Sequence, residues 1–421
     1  MRSLGIRKRP PILRWPAWIA AAFLFLIFGE SATDRHFGAA ESPGAAAEPL
    51  TRPIPYPPDF QTALADSERA VTTARARATA SPGWLSEEML ARAFIERARL
   101  NGSVEDLVAA DQALARSAAL APPGSGPNLL RAMFELSVHR LDRAEAQLDL
   151  LGRYAVAPSL QEQAEIEAMR GDIALYRGQH DQALRHYDRA DRFTPGSTGC
   201  RRAYFRAASG DIDRALSELD LAERRSNRRS IQTAARTELQ RGIFALEAGQ
   251  IDRARNHFLR ADSLFPGDWL IEEHIAEILA LSGEPEIAAR RYRHIVARTE
   301  APEYMDALAR IARDGNDFDE AGRWSERAGT LWRRRLALFP EAYYASAADH
   351  CLAVNDADCA VRMAQLNYRS RPYGEAAALL AEALVSAGRE REASEIATAL
   401  DRSRWQSPRT RRVTALLRQS R

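Results

Sequence analysis

Eight alanines, Ala144, Ala183, Ala215, Ala254, Ala288, Ala321, Ala360 and Ala393, recur 32 to 39 residues apart. A period of that length restricts the chain to a stack of small helical units, each burying its apolar face on the next. The neighbours recur as well. Twelve residues before each marker alanine stands a small residue: Ala132, Gly171, Ala203, Gly242, Ala276, Ala309, Ala348 and Ala381. Five before it, seven of eight are Gly or Asn (Gly178, Gly210, Gly249, Gly283, Asn316, Asn355, Gly388), with His139 the exception. Gly and Asn enter the left-handed backbone region cheaply, so a helix can close there. Two before it, seven of eight are acidic, and Asp142, Asp181, Asp213, Asp252, Glu286, Asp319 and Asp358 are predicted to open the second helix, as caps or as partners of its dipole. Arg391 breaks the rule and predicts a weaker last hairpin. Each unit therefore reads as a helical hairpin whose two small residues permit close approach. Larger groups such as Leu148, Tyr187, Leu219, Phe258 and Tyr292 fill the gap to the next unit, and Pro195, Pro266 and Pro372 end three second helices.

This pattern resembles the tetratricopeptide repeat. The two best matches are Gly171 through Pro195 (GDIALYRGQHDQALRHYDRADRFTP) and Gly242 through Pro266 (GIFALEAGQIDRARNHFLRADSLFP), where the small, Gly, Ala, aromatic, Ala and Pro positions are all filled. The resemblance spans 127–400, with a degenerate earlier unit around Gly102 and Leu107. The family's early tryptophan is missing, and three spacings of 39 imply lengthened helices or connections. What the resemblance implies is an all-α fold, a right-handed α-α superhelix of about eight hairpins that binds a protein or peptide.

The ends differ from this body. In 1–30, Arg2, Arg7, Lys8, Arg9 and Arg14 precede an apolar run from Trp15 to Gly29, the pattern of a bacterial signal peptide or an uncleaved signal anchor. Either sends the rest of the chain to the periplasm, and the uncleaved form attaches it to the inner membrane. No cysteine follows the run, so lipoprotein attachment is excluded. Residues 31–58 are an Ala/Pro-rich linker, and 59–126 are N-terminal helices with the degenerate repeat, broken at Ser81-Pro82-Gly83. The segment 401–421 sets seven arginines against Asp401. Ser407-Pro408 starts a helix there, and Val413, Leu416 and Leu417 would cover the open end of the last repeat. It reads as a basic capping helix, not a nucleic-acid arm.

Chemistry is sparse. The formal net charge is +2, acid and base are interspersed, and Lys8 is the single lysine, an arginine bias better explained by a GC-rich coding sequence than by phosphate recognition. No HExxH, CxxC, nucleophile elbow or phosphate loop occurs. The expectation is a non-catalytic chain with no cofactor and no metal. The row eleven residues before each marker should face the inner curve: Met133, Asp172, Tyr204, Ile243, Glu277, Arg310, Asp349 and Glu382, with Glu273 and Asp306 nearby. Its acidity in the C-terminal half and apolar character in the N-terminal half suit a partner with a cationic part and an apolar part. The alternative is a structural spacer of a secretion or polysaccharide-export assembly. Cys351 and Cys359 flank one predicted turn and are candidates for a disulfide, leaving Cys200 outside it.

Overall fold

The computed structural model describes residues 57–225 and 230–419. The predicted signal segment 1–30 and all but the last two residues of the linker 31–58 lie outside them. The described residues form twenty helices and no strand. Helix α1 (Phe60–Ala80) stands before nine antiparallel hairpins. These pair α2 (Trp84–Asn101) with α3 (Val104–Leu120), α4 (Asn128–Ser137) with α5 (Leu141–Leu151), and α6 (Leu160–Tyr176) with α7 (His180–Phe193). Next come α8 (Gly199–Ala208) with α9 (Ile212–Arg225), α10 (Ile231–Glu247) with α11 (Ile251–Leu264), and α12 (Trp269–Leu281) with α13 (Pro285–Thr299). The last three are α14 (Pro302–Asp314) with α15 (Phe318–Leu338), α16 (Pro340–Ala353) with α17 (Ala357–Ser370), and α18 (Gly374–Ser386) with α19 (Glu390–Asp401). Helix α20 (Pro408–Gln419) closes the array.

All seven predicted Gly and Asn turn residues take positive φ, from 60° at Asn355 to 85° at Gly283, and His139 does so too, at 62°. The turns share one hydrogen-bond pattern. At the end of α6, Gln179 N–H donates to Ala174 and Gly178 N–H to Leu175, and the first of these bonds recurs from Gln250 to Ala245 and from Asp356 to Cys351. That is the double closure of a left-handed helix end. His139 keeps the conformation without glycine's freedom because its ring is 3% exposed and packs edge-on against Tyr176, 5.5 Å between centroids. The acids two before each marker are not caps. They lie in the first turn, as Asp181 and Asp252 do, and favour the helix through its dipole alone. Where a side chain does cap, it sits two residues earlier, at Asp317 and Asp356.

The small residues have a sharper role than close helix approach alone. A β-carbon on Gly171 would meet Tyr187 Cε1 at 2.4 Å, and one on Gly242 would meet Phe258 Cε1 at 2.3 Å. The aromatic four after each marker thus lies flat over the missing side chain. Both rings are fully buried, each contributing about 1.5 to 3 kcal/mol. No marker alanine is more than 3% exposed. The last long spacing is absorbed by α15, which runs 21 residues. At the C-terminal end Val413 and Leu417 are buried with Leu400 and Ala397, whereas Leu416 is 45% exposed.

The solenoid winds back onto itself. Phe60 packs edge-on against Phe265 at 6.3 Å, Trp269 Nε1 donates to the Leu100 carbonyl at 2.6 Å, and Phe134 meets Phe339 at 6.1 Å. Farther on, Tyr176 meets Tyr373 at 5.1 Å, and the Gln406 amide donates to Ala208 O at 2.6 Å. These contacts close part of the inner curve, on which Met133, Arg310 and Glu382 stay half-buried.

Candidate functional site

The predicted inner row lies on the first helix of each hairpin, and seven of its ten members are buried: Asp172, Tyr204, Ile243, Glu273, Glu277, Asp306 and Asp349. Met133, Arg310 and Glu382 are half-buried. The residues do not form one acidic wall, because each buried acid has a partner from within the chain.

Asp172 on α6 accepts from Tyr187 Oη at 2.8 Å and from Arg201 Nε at 2.9 Å, while Arg201 Nη2 donates to Glu165 at 2.9 Å. Burial outweighs the pull of Arg201 and pushes the Asp172 carboxyl up to about 6. Asp306 on α14 accepts from Trp332 Nε1 at 2.8 Å and faces His350 Nδ1 at 2.7 Å. Asp349 on α16 is met by Arg409 from α20, and burial again lifts it to about 6. Arg409 also reaches Glu382 at 3.1 Å and Glu375 at 3.7 Å. Burial opposes its charge, but Asp349, Glu382 and Glu375 more than compensate and raise its pKa.

The segment 402–419 forms the expected closing helix, but its reach beyond the last repeat was not foreseen. Trp405, 2% exposed, lies in the space left by Gly374, where a β-carbon would meet its Cγ at 2.1 Å. Its ring touches Tyr373, Tyr204 and His180, with centroids 5.3, 6.0 and 6.2 Å away. Arg404 pairs with Asp181 at 3.2 Å, and Arg411 Nη2 donates to Glu247 O at 3.3 Å. The segment therefore runs from the last hairpin onto α7, α8 and α10. A Trp-x-x-x-Arg spacing beside a repeat glycine was the available signal, hidden by the arginine-rich background.

A cavity of about 140 Å³ lies between the α2–α3 turn and the first helices α10, α12, α14 and α16. Arg99, Trp269, Glu273, His274 and Tyr304 are in its wall. The Arg99 side chain is 6% exposed, pairs with Glu96, and has no hydrogen-bond partner at Nε or Nη2. Glu273, His274 and Glu277 form a buried cluster on α12 that no metal motif announces. Burial, partly offset by His274, pushes Glu273 up to about 7. Burial alone would lower His274, but Glu273 and Glu277 outweigh it. Among the described residues no helix is long and apolar enough to cross a membrane. Cys351 and Cys359 are joined across the α16–α17 turn with α-carbons 5.7 Å apart, and Cys200 is exposed.

No protein-family model matches the chain, and no curated protein matches it. Solved structures similar to it include Pseudomonas aeruginosa PilF, 15% identical over 49% of this chain and 90% of that one, with a TM-score of 0.38. Yeast Tom70 is 13% identical over 86% and 87%, at 0.44. The Rap conjugation gene regulator of the plasmid pLS20, solved with the Phr* peptide, is 15% identical over 76% and 94%, also at 0.44. The chain's own repeat, eight marked hairpins each closed by one left-handed turn and packed small residue against neighbour, makes the described body an all-α solenoid of helical hairpins that resembles the tetratricopeptide repeat.

Proposed function

We propose that this chain is a non-catalytic interaction scaffold of the bacterial cell envelope that takes a partner peptide or helix on its inner curve. One observation carries the reading: the inner curve already accepts a helical segment, the chain's own residues 402–419 with α20. That segment presents an aromatic anchor, Trp405, and a buried cation, Arg409, to Tyr204, Asp349 and Glu382. This is the apolar-plus-cationic chemistry expected of the partner, and large aromatic and Arg anchors dominate such interfaces. The half-buried members Met133, Arg310 and Glu382 are the positions from which a partner would be reached. Export to the periplasm or to the periplasmic face of the inner membrane is supported by the segment 1–30 and by the Cys351–Cys359 bridge. No nucleic-acid partner is invoked, since the C-terminal arginines Arg404, Arg409 and Arg418 pair with the chain's own acids.

The test is a photoreactive residue placed in cells at 133, 310 or 382, with Leu259 on α11, 49% exposed, as the outer control. One recurring product from the inner positions and none from 259 supports the scaffold reading. The reverse pattern sinks it and favours the spacer of a secretion or polysaccharide-export assembly. A phosphatase active only outside the cytoplasm, fused after the last residue, must be active.

A further inference from the structure

We propose that Glu273, His274 and Glu277 form a binding site for one divalent first-row transition ion. One ligand atom from each of the three lies within 4.8 Å of the other two, and all three residues are buried. Acidic groups often gather without an ion, so the placement of the imidazole decides the matter. His274 Nδ1 faces Glu277 Oε2 at 3.2 Å in a hydrogen bond, and in the neutral tautomer that donates from Nδ1 the ligand atom is Nε2. Nε2 stands 3.3 Å from Glu273 Oε2, yet it has no hydrogen-bond partner, in a residue only 2% exposed.

His274 Nε2 and the Glu273 carboxylate can hold one positive charge between them, a metal ion or a proton. A separation of 3.3 Å is also the edge of a tetrahedron around an ion whose ligands stand at about 2.0 to 2.1 Å. The bond from Nδ1 to a carboxylate is the arrangement that fixes the tautomer and orientation of a metal-ligating histidine. Phe258 stacks on the ring, centroids 5.0 Å apart and planes 11° from parallel, and holds its plane. The cavity beside Glu273 and His274 leaves room for the oxygen ligands that would complete the ion's coordination. One imidazole and one carboxylate, with Glu277 orienting the ring and oxygen ligands completing the shell, suit Zn²⁺, Mn²⁺ or Fe²⁺ and disfavour Cu(I). The competing occupant is a second proton on the ring.

The test uses the full chain in mild detergent, stripped with a chelator and titrated with Zn²⁺ and, separately, with Mn²⁺. Expected are one bound equivalent by calorimetry and a rise in Tm that follows ion concentration, as binding to the folded state alone requires. Glu273→Gln and His274→Gln should each weaken binding at least tenfold. His294→Gln, at a histidine whose side chain is 63% exposed, should leave it unchanged. Glu273→Gln preserves shape and can be read even should His274→Gln fail to fold, and the wild-type Tm shift needs no variant. Absence of binding and of a Tm shift with both ions overturns the site. So does binding that survives intact in Glu273→Gln, which leaves the second proton as the occupant.

Discussion

Asp172 and Asp349 occupy the same position in their repeats, are buried to the same degree, and are each paired with an arginine, but the arginines come from different places. Arg201 belongs to the next hairpin, 29 residues on, where stacking holds it. Arg409 belongs to the C-terminal segment, 60 residues on, after the stack has ended. At the second level the next hairpin has Leu379 where Arg201 stands at the first, and α20 supplies the cation in its place. The first pair lies within the stack of hairpins; the second joins the stack to the C-terminal segment.

The largest effect should separate the two sites. Asp172→Ala removes one of the carboxylates of the buried Arg201, leaving Glu165, and takes the acceptor from Tyr187 Oη, and should cost about 3 to 5 kcal/mol. Asp349→Ala should cost less, about 1 to 3 kcal/mol, because Arg409 can escape to water with its segment. Urea midpoints give both values, and limited proteolysis after Arg404 should accelerate in the second variant alone. Equal losses without accelerated cleavage would erase the distinction.

Overpacking probes the same contrast. Gly171→Ala drives a methyl group into Tyr187 between the helices of one hairpin and should cost about 1 to 3 kcal/mol. Gly374→Ala drives one into Trp405 and should release the segment instead, read as a Trp fluorescence shift with little change in helix content. Ala254→Leu, at a fully buried position, should behave like Gly171→Ala.

A pH series comes next. Burial raises both carboxyls to about 6, so the stability they contribute is fully present below about 4 and is lost as pH rises through 6. The advantage of wild type over Asp172→Asn should therefore shrink between pH 4 and 6, by roughly 1.4 kcal/mol for each tenfold difference in proton affinity between the folded and unfolded carboxyl. Asp349→Asn should show the same window. A flat difference at 349 with a sloping one at 172 would mean that the second site is wet in solution.

The repeat signal made the hairpins legible down to single residues. It placed the left-handed turns at the seven Gly and Asn positions, because turn chemistry is local and a positive φ restricts which residues fit, but not the one at His139, which stood apart as the exception. It misplaced the caps by two residues, since an acid in the first turn and an acid at the cap look alike in a string. Helix α17 is capped by the side chain of Asp356, whereas Gln179 precedes α7 without such a bond. Asp356→Ala should thus cost about 1 kcal/mol and Gln179→Ala almost nothing, the smallest contrast among these tests. The inner row was located but its state was not. Whether Asp349 faces solvent or Arg409 depends on how far the superhelix turns per hairpin, which is the sum of many small packing angles and is written at no single residue.

Contacts such as Phe60 with Phe265 and Phe134 with Phe339 change how the molecule comes apart. An open array of repeats melts piecemeal, each unit coupled only to its neighbours. Here units about 200 residues apart in sequence share side-chain contacts, so the first helices cannot fray without uncovering later ones. Long sequence separations raise the entropy that must be lost before native contacts form, slowing folding relative to an open array of the same length. The described body should unfold in one sharp transition, and its amide exchange should slow nearly as much at α1 as at α12.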